Sequence, residues 1–318
     1  MSESPNVPPR KIKKHHVCFL CLSILPLVPV RLPLTDLLSA SFRSDTYSHV
    51  LFIPLLSVCL VYLRRNSVFL KPQYCLSWGL PLLLLGMLFI WIVQKSVSFS
   101  DRNDYLSGAA FSLACVWLPA FVLSYGVKAS RAASFALLFL VLMIPMPTIL
   151  VDAVVGALQR GSADMTYAMF KLVGLPVDWL GFVFSIRGAR FEIAKECSGI
   201  HSSLVLFVVS ILAGHLFLRS IWGKVCFSVF TVLVAIFKNA VRIVTIACLT
   251  VYVDASYYDG WLHRKGGVVF AAFAMAILAP FLLALRKAEP YFQRKQPASG
   301  TNEGGALNYA GSPAHRHP

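Results

Sequence analysis

The feature that most constrains this chain is the grouping of its apolar residues into blocks of roughly 20, the length a helix needs to cross ~30 Å of hydrocarbon. Of 318 residues, 57% are hydrophobic and only 14% charged. A soluble domain is closer to half apolar and a quarter charged, so the solvent for most of this chain is lipid. The expected fold class is all-α, a polytopic integral membrane protein with about eight transmembrane helices. The blocks place them near 17–38, 49–63, 74–94, 105–125, 132–150, 198–218, 222–252 and 268–285.

The formal net charge of +15 follows the same plan. Basic residues sit at the ends of apolar blocks, and no basic stripe is interleaved with aromatics on a soluble domain, so a nucleic-acid partner is not expected. Arg64, Arg65, Lys71, Lys128, Arg131, Arg219 and Lys224 fall on one side if eight spans alternate. The basic N-terminus (Arg10, Lys11, Lys13, Lys14) and the tail (Arg286, Lys287, Arg294, Lys295) join them. The charge bias makes that side cytoplasmic. On the opposite side Arg43, Lys95 and Arg102 are accompanied by Asp36, Asp45, Asp101 and Asp104.

Three regions follow. Residues 1–16 are expected to be a cytoplasmic basic N-terminus, 17–286 the transmembrane domain, and 287–318, rich in Gly, Pro and polar residues, a disordered cytoplasmic tail. The first apolar stretch has no small-residue cleavage site and reads as a retained span.

Segment 151–197 breaks the rhythm. Val154, Leu158, Met165, Met169 and Leu172 recur among Asp152, Gln159, Arg160, Asp164 and Lys171, which predicts an amphipathic helix at the membrane interface. Gly174-Leu175-Pro176 marks a turn, and the alternation over 182–193 predicts a short hairpin. Topology puts this segment outside the cytoplasm.

Of eight cysteines, seven lie in or beside apolar blocks and read as small buried hydrophobes, the Cys18/Cys21 pair included. Cys197 differs because its neighbours are polar. It belongs to Glu196-Cys197-Ser198-Gly199-Ile200-His201-Ser202-Ser203, which opens the sixth span. Two further polar clusters are Lys238-Asn239-Ala240-Val241-Arg242 and Trp261-Leu262-His263-Arg264-Lys265-Gly266-Gly267.

Parity gathers the three clusters. The sixth span starts at Cys197 and runs inward. Arg242 comes 18 residues after Lys224, about 27 Å of helix rise, near the opposite boundary. His263 precedes the eighth span by about one turn. All three therefore reach one membrane face.

That gathering suits thiol chemistry. A free cysteine is only ~3% thiolate at pH 7. Arg242 and a helix N-terminus favour the thiolate or a developing oxyanion, and His263 can exchange the proton. Gly199 and Gly266-Gly267 permit close backbone approach to a substrate. No cofactor and no metal are required. Taken singly, Arg242 reads equally as a snorkelling cation, and His263 as a solvated loop residue. His215, amid apolar neighbours, reads as an interhelical packing group.

The motifs Glu-Cys-Ser-Gly-Ile at 196–200, Asn239-x-x-Arg242-Ile243 and His263-x-x-Gly266 resemble those of the exosortase/archaeosortase family. The likeness extends through Ile144-Pro145-Met146-Pro147 and Leu172-Val173-Gly174-Leu175-Pro176-Val177. The resemblance implies a membrane-embedded, sortase-like cysteine protease or transpeptidase of the bacterial inner membrane, with its active site on the extracytoplasmic face. Its substrates would be exported, membrane-anchored proteins carrying a C-terminal sorting signal, Pro-Glu-Pro in exosortases, and many members accompany exopolysaccharide genes. It implies catalysis by Cys197 (nucleophile), Arg242 (oxyanion or thiolate stabiliser) and His263 (general acid/base), with Glu196, Ser198, Gly199, His201 and Asn239 supporting. Four residues after the cysteine the family usually has Arg, whereas this chain has His201, which either replaces a substrate-contacting Arg, bearing on the substrate motif, or is itself the base in place of His263. The residues leave two alternatives: a metal-dependent protease using Cys197, His201 and His263 with Glu196 as base, and a non-enzymatic transporter or polysaccharide-assembly component.

Overall fold

A computed structural model describes residues 9–43, 47–95, 101–193, 199–257 and 266–294. Its helices are α1 (Pro9–Ile24), α2 (Arg31–Arg43), α3 (Ser48–Leu63), α4 (Arg65–Val68), α5 (Leu76–Lys95), α6 (Arg102–Ala132), α7 (Ser134–Leu140) and α8 (Thr148–Leu172). Strands β1 (Asp178–Leu180), β2 (Val183–Ile186) and β3 (Ala189–Glu192) follow. The chain ends with α9 (Ile200–Phe217), α10 (Ile221–Tyr252) and α11 (Gly267–Arg294). The all-α, polytopic expectation holds.

Among the described residues, five helices are long and apolar enough to cross a bilayer: α5, α6, α9, α10 and the stretch 267–290 of α11. A sixth is formed if the pair 134–143 and 148–172, bent by 90°, counts as one span. The expected count of eight is not reached, and proline is the reason for two of the differences. Pro26, Pro29 and Pro33 break the expected span 17–38 into α1 and α2, since proline supplies no N–H and crowds the preceding turn. Pro145 and Pro147 break the expected span 132–150 between α7 and α8. The expected span 49–63 is one shorter apolar helix.

In the N-terminal half, α5 and α6 lie antiparallel with backbones almost touching. A Cβ on Gly79 would sit 2.5 Å from Leu123 Cβ, and one on Gly86 only 2.3 Å from the Cys115 carbonyl oxygen. Small residues at helix contacts are the usual route to such approach in lipid, where no hydrophobic force drives helices together.

The start of α8 is clamped to the start of α6. The Thr148 amide donates to Asp104 Oδ1 at 2.6 Å, the Thr148 hydroxyl donates to Asp101, and Asn103 Nδ2 donates to the Met146 carbonyl at 2.9 Å. The Thr148 hydroxyl and then the Asn103 amide hold the Asp101 carboxyl below the usual carboxylate range.

Helix α8 is amphipathic, but its buried face is not the one expected. The sequence pattern favours Val154, Leu158, Met165, Met169 and Leu172. The structure buries Val155, Leu158, Gln159, Ser162, Ala163, Thr166 and Phe170, while Leu172 is exposed. The small residues win because they let α10 approach: a Cβ on Gly161 would be 3.1 Å from Ile236 Cδ1.

The expected hairpin over 182–193 is one part of a three-stranded antiparallel sheet in the order β1-β2-β3. β1 escapes detection because all three of its residues are exposed, leaving no alternation of burial. The β2–β3 loop is Arg187-Gly188, both at positive φ, the type I′ pattern that matches strand twist. The Arg187 guanidinium stacks 4.8 Å from the Tyr252 ring at the end of α10. Phe184, Ile186, Phe191 and Ile193 turn inward onto Ala163 and Phe170 of α8 and Ala247 of α10.

Three helices form the C-terminal bundle. α9 runs antiparallel to α10: at one end Gly214 faces Lys224, and at the other Gly199 faces Asn239. α11 returns along α10, with the Phe281 ring tilted against Phe230 at 3.9 Å between centroids and Phe273 at 6.1 Å from Phe237. α11 continues to Arg294, so residues 287–294, expected to belong to a disordered tail, are helical. Glu289 is one reason. Its carboxylate accepts from the Arg219 amide at 3.0 Å and the Ser220 amide at 2.8 Å, at the positive end of the α10 dipole.

His215 takes the packing role read from its neighbours. Its ring stacks on Phe135, and Nε2 lies 3.3 Å from an Arg64 guanidinium nitrogen.

Candidate functional site

The site lies at the junction of α8, α9 and α10, where polar side chains meet inside otherwise apolar helices. Asn239, 1% exposed, projects from α10, and its Nδ2 donates to Ser162 Oγ of α8 at 3.0 Å. A buried amide requires such a partner, because an unsatisfied donor there costs about 1–3 kcal/mol.

Gly199 closes on the same amide from α9. It adopts φ +72°, a left-handed conformation that favours glycine, and a Cβ here would lie 2.9 Å from Asn239 Oδ1. The glycine requirement is thus met inside the protein: the space before its missing side chain holds Asn239 rather than open room for a substrate. The left-handed turn also sets where α9 begins. The helix opens at Ile200, two residues later than the expected start at 198.

One turn into α9, Ser202 Oγ donates to the Gly199 carbonyl at 3.1 Å and accepts a hydrogen bond from Lys238 Nζ. Lys238 is only 2% exposed. A cation buried among apolar helices is costly and marks a built polar site. In the sequence Lys238 stands in a polar cluster with nothing to mark its role. Ser162 and Gln159 also went unread, because single polar residues in an amphipathic segment look like part of its solvated face.

Gln159 completes the frame. One turn before Ser162 on α8, its Nε2 donates to the Ile193 carbonyl. The chain leaving β3 at Ile193 and the chain entering α9 at Gly199 are therefore fastened to one stretch of α8 and α10. Glu196, Cys197 and Ser198, between these anchors in sequence, lie outside the described residues, as does His263.

Arg242 lies one turn beyond Lys238 on α10 and is half-buried. It sits about 31 Å of helix rise from Ile221, past the first turn of antiparallel α9. Since α11 runs antiparallel to α10 with Phe273 beside Phe237, Gly266 and Gly267 at the start of α11 belong to the same end of the bundle. Of the expected site residues, the structure brings Gly199 and Asn239 into contact, with Arg242 on the next turn of α10. His201, half-buried in the first turn of α9, has its Nδ1 enclosed without a hydrogen-bond partner among the described residues.

A bundle of long apolar helices with a polar junction at one end defines the class: a polytopic helical membrane protein. The family model described as transmembrane exosortase matches residues 41–280, and the chain belongs to that family. No curated protein and no solved structure matches it.

Proposed function

We propose that this exosortase is a membrane-embedded cysteine protease or transpeptidase that cleaves C-terminal sorting signals from exported, membrane-anchored proteins. The observation that carries the reading is the contact between Gly199 and Asn239. It joins the motif holding Cys197 to the motif holding Arg242, at the end of the bundle from which α11 departs just after His263.

In this reading the Cys197 thiolate attacks the carbonyl carbon of the scissile peptide. The carbon–sulfur bond forms and the carbonyl oxygen becomes an oxyanion, which Arg242 stabilises. Collapse expels the amine, protonated by His263, and leaves a thioester on Cys197. Water or an acceptor amine then attacks the thioester and regenerates the thiol. Asn239 and Gly199 hold the two motifs in register, and Glu196, Ser198 and His201 support the nucleophile. The active face is extracytoplasmic at the inner membrane. Residues 1–16 and the tail beyond 286 lie on the cytoplasmic side, where the basic connections gather. The substrates are exported proteins with tails of the Pro-Glu-Pro class, linked to exopolysaccharide production.

The test is processing of a co-expressed tethered protein with such a tail, scored by the size of the product. Cys197→Ser at equal enzyme abundance should abolish the shorter product. Undiminished cleavage by that variant would remove the cysteine mechanism.

A further inference from the structure

An apolar groove of about 420 Å³ lies in the N-terminal half, far in sequence from the polar junction. Its walls come from four helices: α1 (Phe19), α3 (Val58, Tyr62), α6 (Trp117, Tyr125) and α7 (Leu137). From Tyr125 to Trp117 is eight residues, about 12 Å of rise. That is close to one leaflet of a ~30 Å hydrocarbon core.

One end of the groove is polar and cationic. The Arg65 guanidinium lies 4.4 Å over the Tyr62 ring, and His16 Nδ1 pairs with the Tyr125 hydroxyl at 2.7 Å. Lys14 on α1, Arg64 between α3 and α4, and Lys71 just after α4 are exposed at this end, and Lys128 lies just past the kink in α6 at Gly126, where φ is +83°. None of these cations has a carboxylate on its own stretch of chain: no Asp or Glu occurs in 9–35, 47–100 or 105–151. The cationic end therefore calls for an anion from outside these segments, and the walls below it call for hydrocarbon.

We propose that this groove binds one anionic phospholipid of the surrounding bilayer, with an acyl chain along α3 and α6 and the phosphate at Arg65 and Lys71. Basic pockets between transmembrane helices hold lipid phosphates by this combination of charge and burial. A peptide segment ending in basic residues would meet like charge here, which separates this groove from the site that handles sorting signals.

The experiment is thermal unfolding of the full chain in neutral detergent, with phosphatidylglycerol or phosphatidylcholine added. Native mass spectrometry alongside counts bound lipid and copies of the chain. Phosphatidylglycerol at a hundredfold excess over its Kd should raise Tm by about 3–5 °C with one lipid retained, and phosphatidylcholine should not. Val58→Trp, which fills the groove, and the pair Arg65→Gln with Lys71→Gln, which removes the phosphate partners, should each abolish the shift. An equal shift with phosphatidylcholine overturns the proposal, as does a shift that survives Val58→Trp. A dimer lost in Val58→Trp would assign the groove to a second copy and overturn it equally.

Discussion

Replacing Gly199 with alanine tests the contact on which the functional reading rests. Two costs follow from its geometry. An L-residue held at φ +72° pays about 1–2 kcal/mol for the left-handed conformation. The new Cβ would also lie 2.9 Å from Asn239 Oδ1, so the amide has to shift and its 3.0 Å bond to Ser162 is strained or lost. Losing a buried hydrogen bond adds about 1–3 kcal/mol. Gly199→Ala should therefore destabilise the protein by about 2–5 kcal/mol in all. The second cost depends on Asn239. In an Asn239→Ala background, Gly199→Ala should cost only the conformational part, leaving a coupling of about 1–3 kcal/mol between the two positions. The assay is reversible unfolding in mixed micelles for the wild type, both single variants and the double variant. Additive costs would refute the argument, because they would mean that Gly199 and Asn239 do not share space. Processing of a tethered substrate should fall with Gly199→Ala even where the chain remains folded.

Glu289→Ala should destabilise the protein by about 1–2 kcal/mol, since it removes the acceptor of the Arg219 and Ser220 amides at the start of α10; limited proteolysis should then cut within 287–294 first. Asp101 has a lowered pKa, so its contribution to stability is present above the ordinary carboxylate value and is lost as pH falls through the lowered one, below about pH 4. Thr148→Ala, which removes the main cause of that lowering, should move the loss upward in pH, and an unmoved acid profile in thermal unfolding would contradict the clamp.

Membrane class was legible from residue order alone. Blocks of about 20 apolar residues can be satisfied only by helices in lipid, and no packing detail alters that. The Glu-Cys-Ser-Gly-Ile, Asn-x-x-Arg and His-x-x-Gly motifs pointed to the exosortase family, which the match over 41–280 bears out. Two of the three spans that read wrongly did so where prolines interrupt apolar runs, because hydropathy averages over a break that backbone geometry cannot; the third, 49–63, forms one helix that is too short. The buried face of α8 was a matter of tertiary structure. Its periodicity admitted several faces, and the choice fell to Ser162, Ala163 and Gly161 because α10 needed small residues to come close. The polar junction was beyond sequence for the same reason. Ser162, Ser202 and Asn239 lie on three helices tens of residues apart, so only the packing of α8 and α9 against α10 could make them hydrogen-bond partners of one site. Sequence periodicity sets what each helix offers to its neighbours, whereas the contacts that select among those offers exist only once the helices have met.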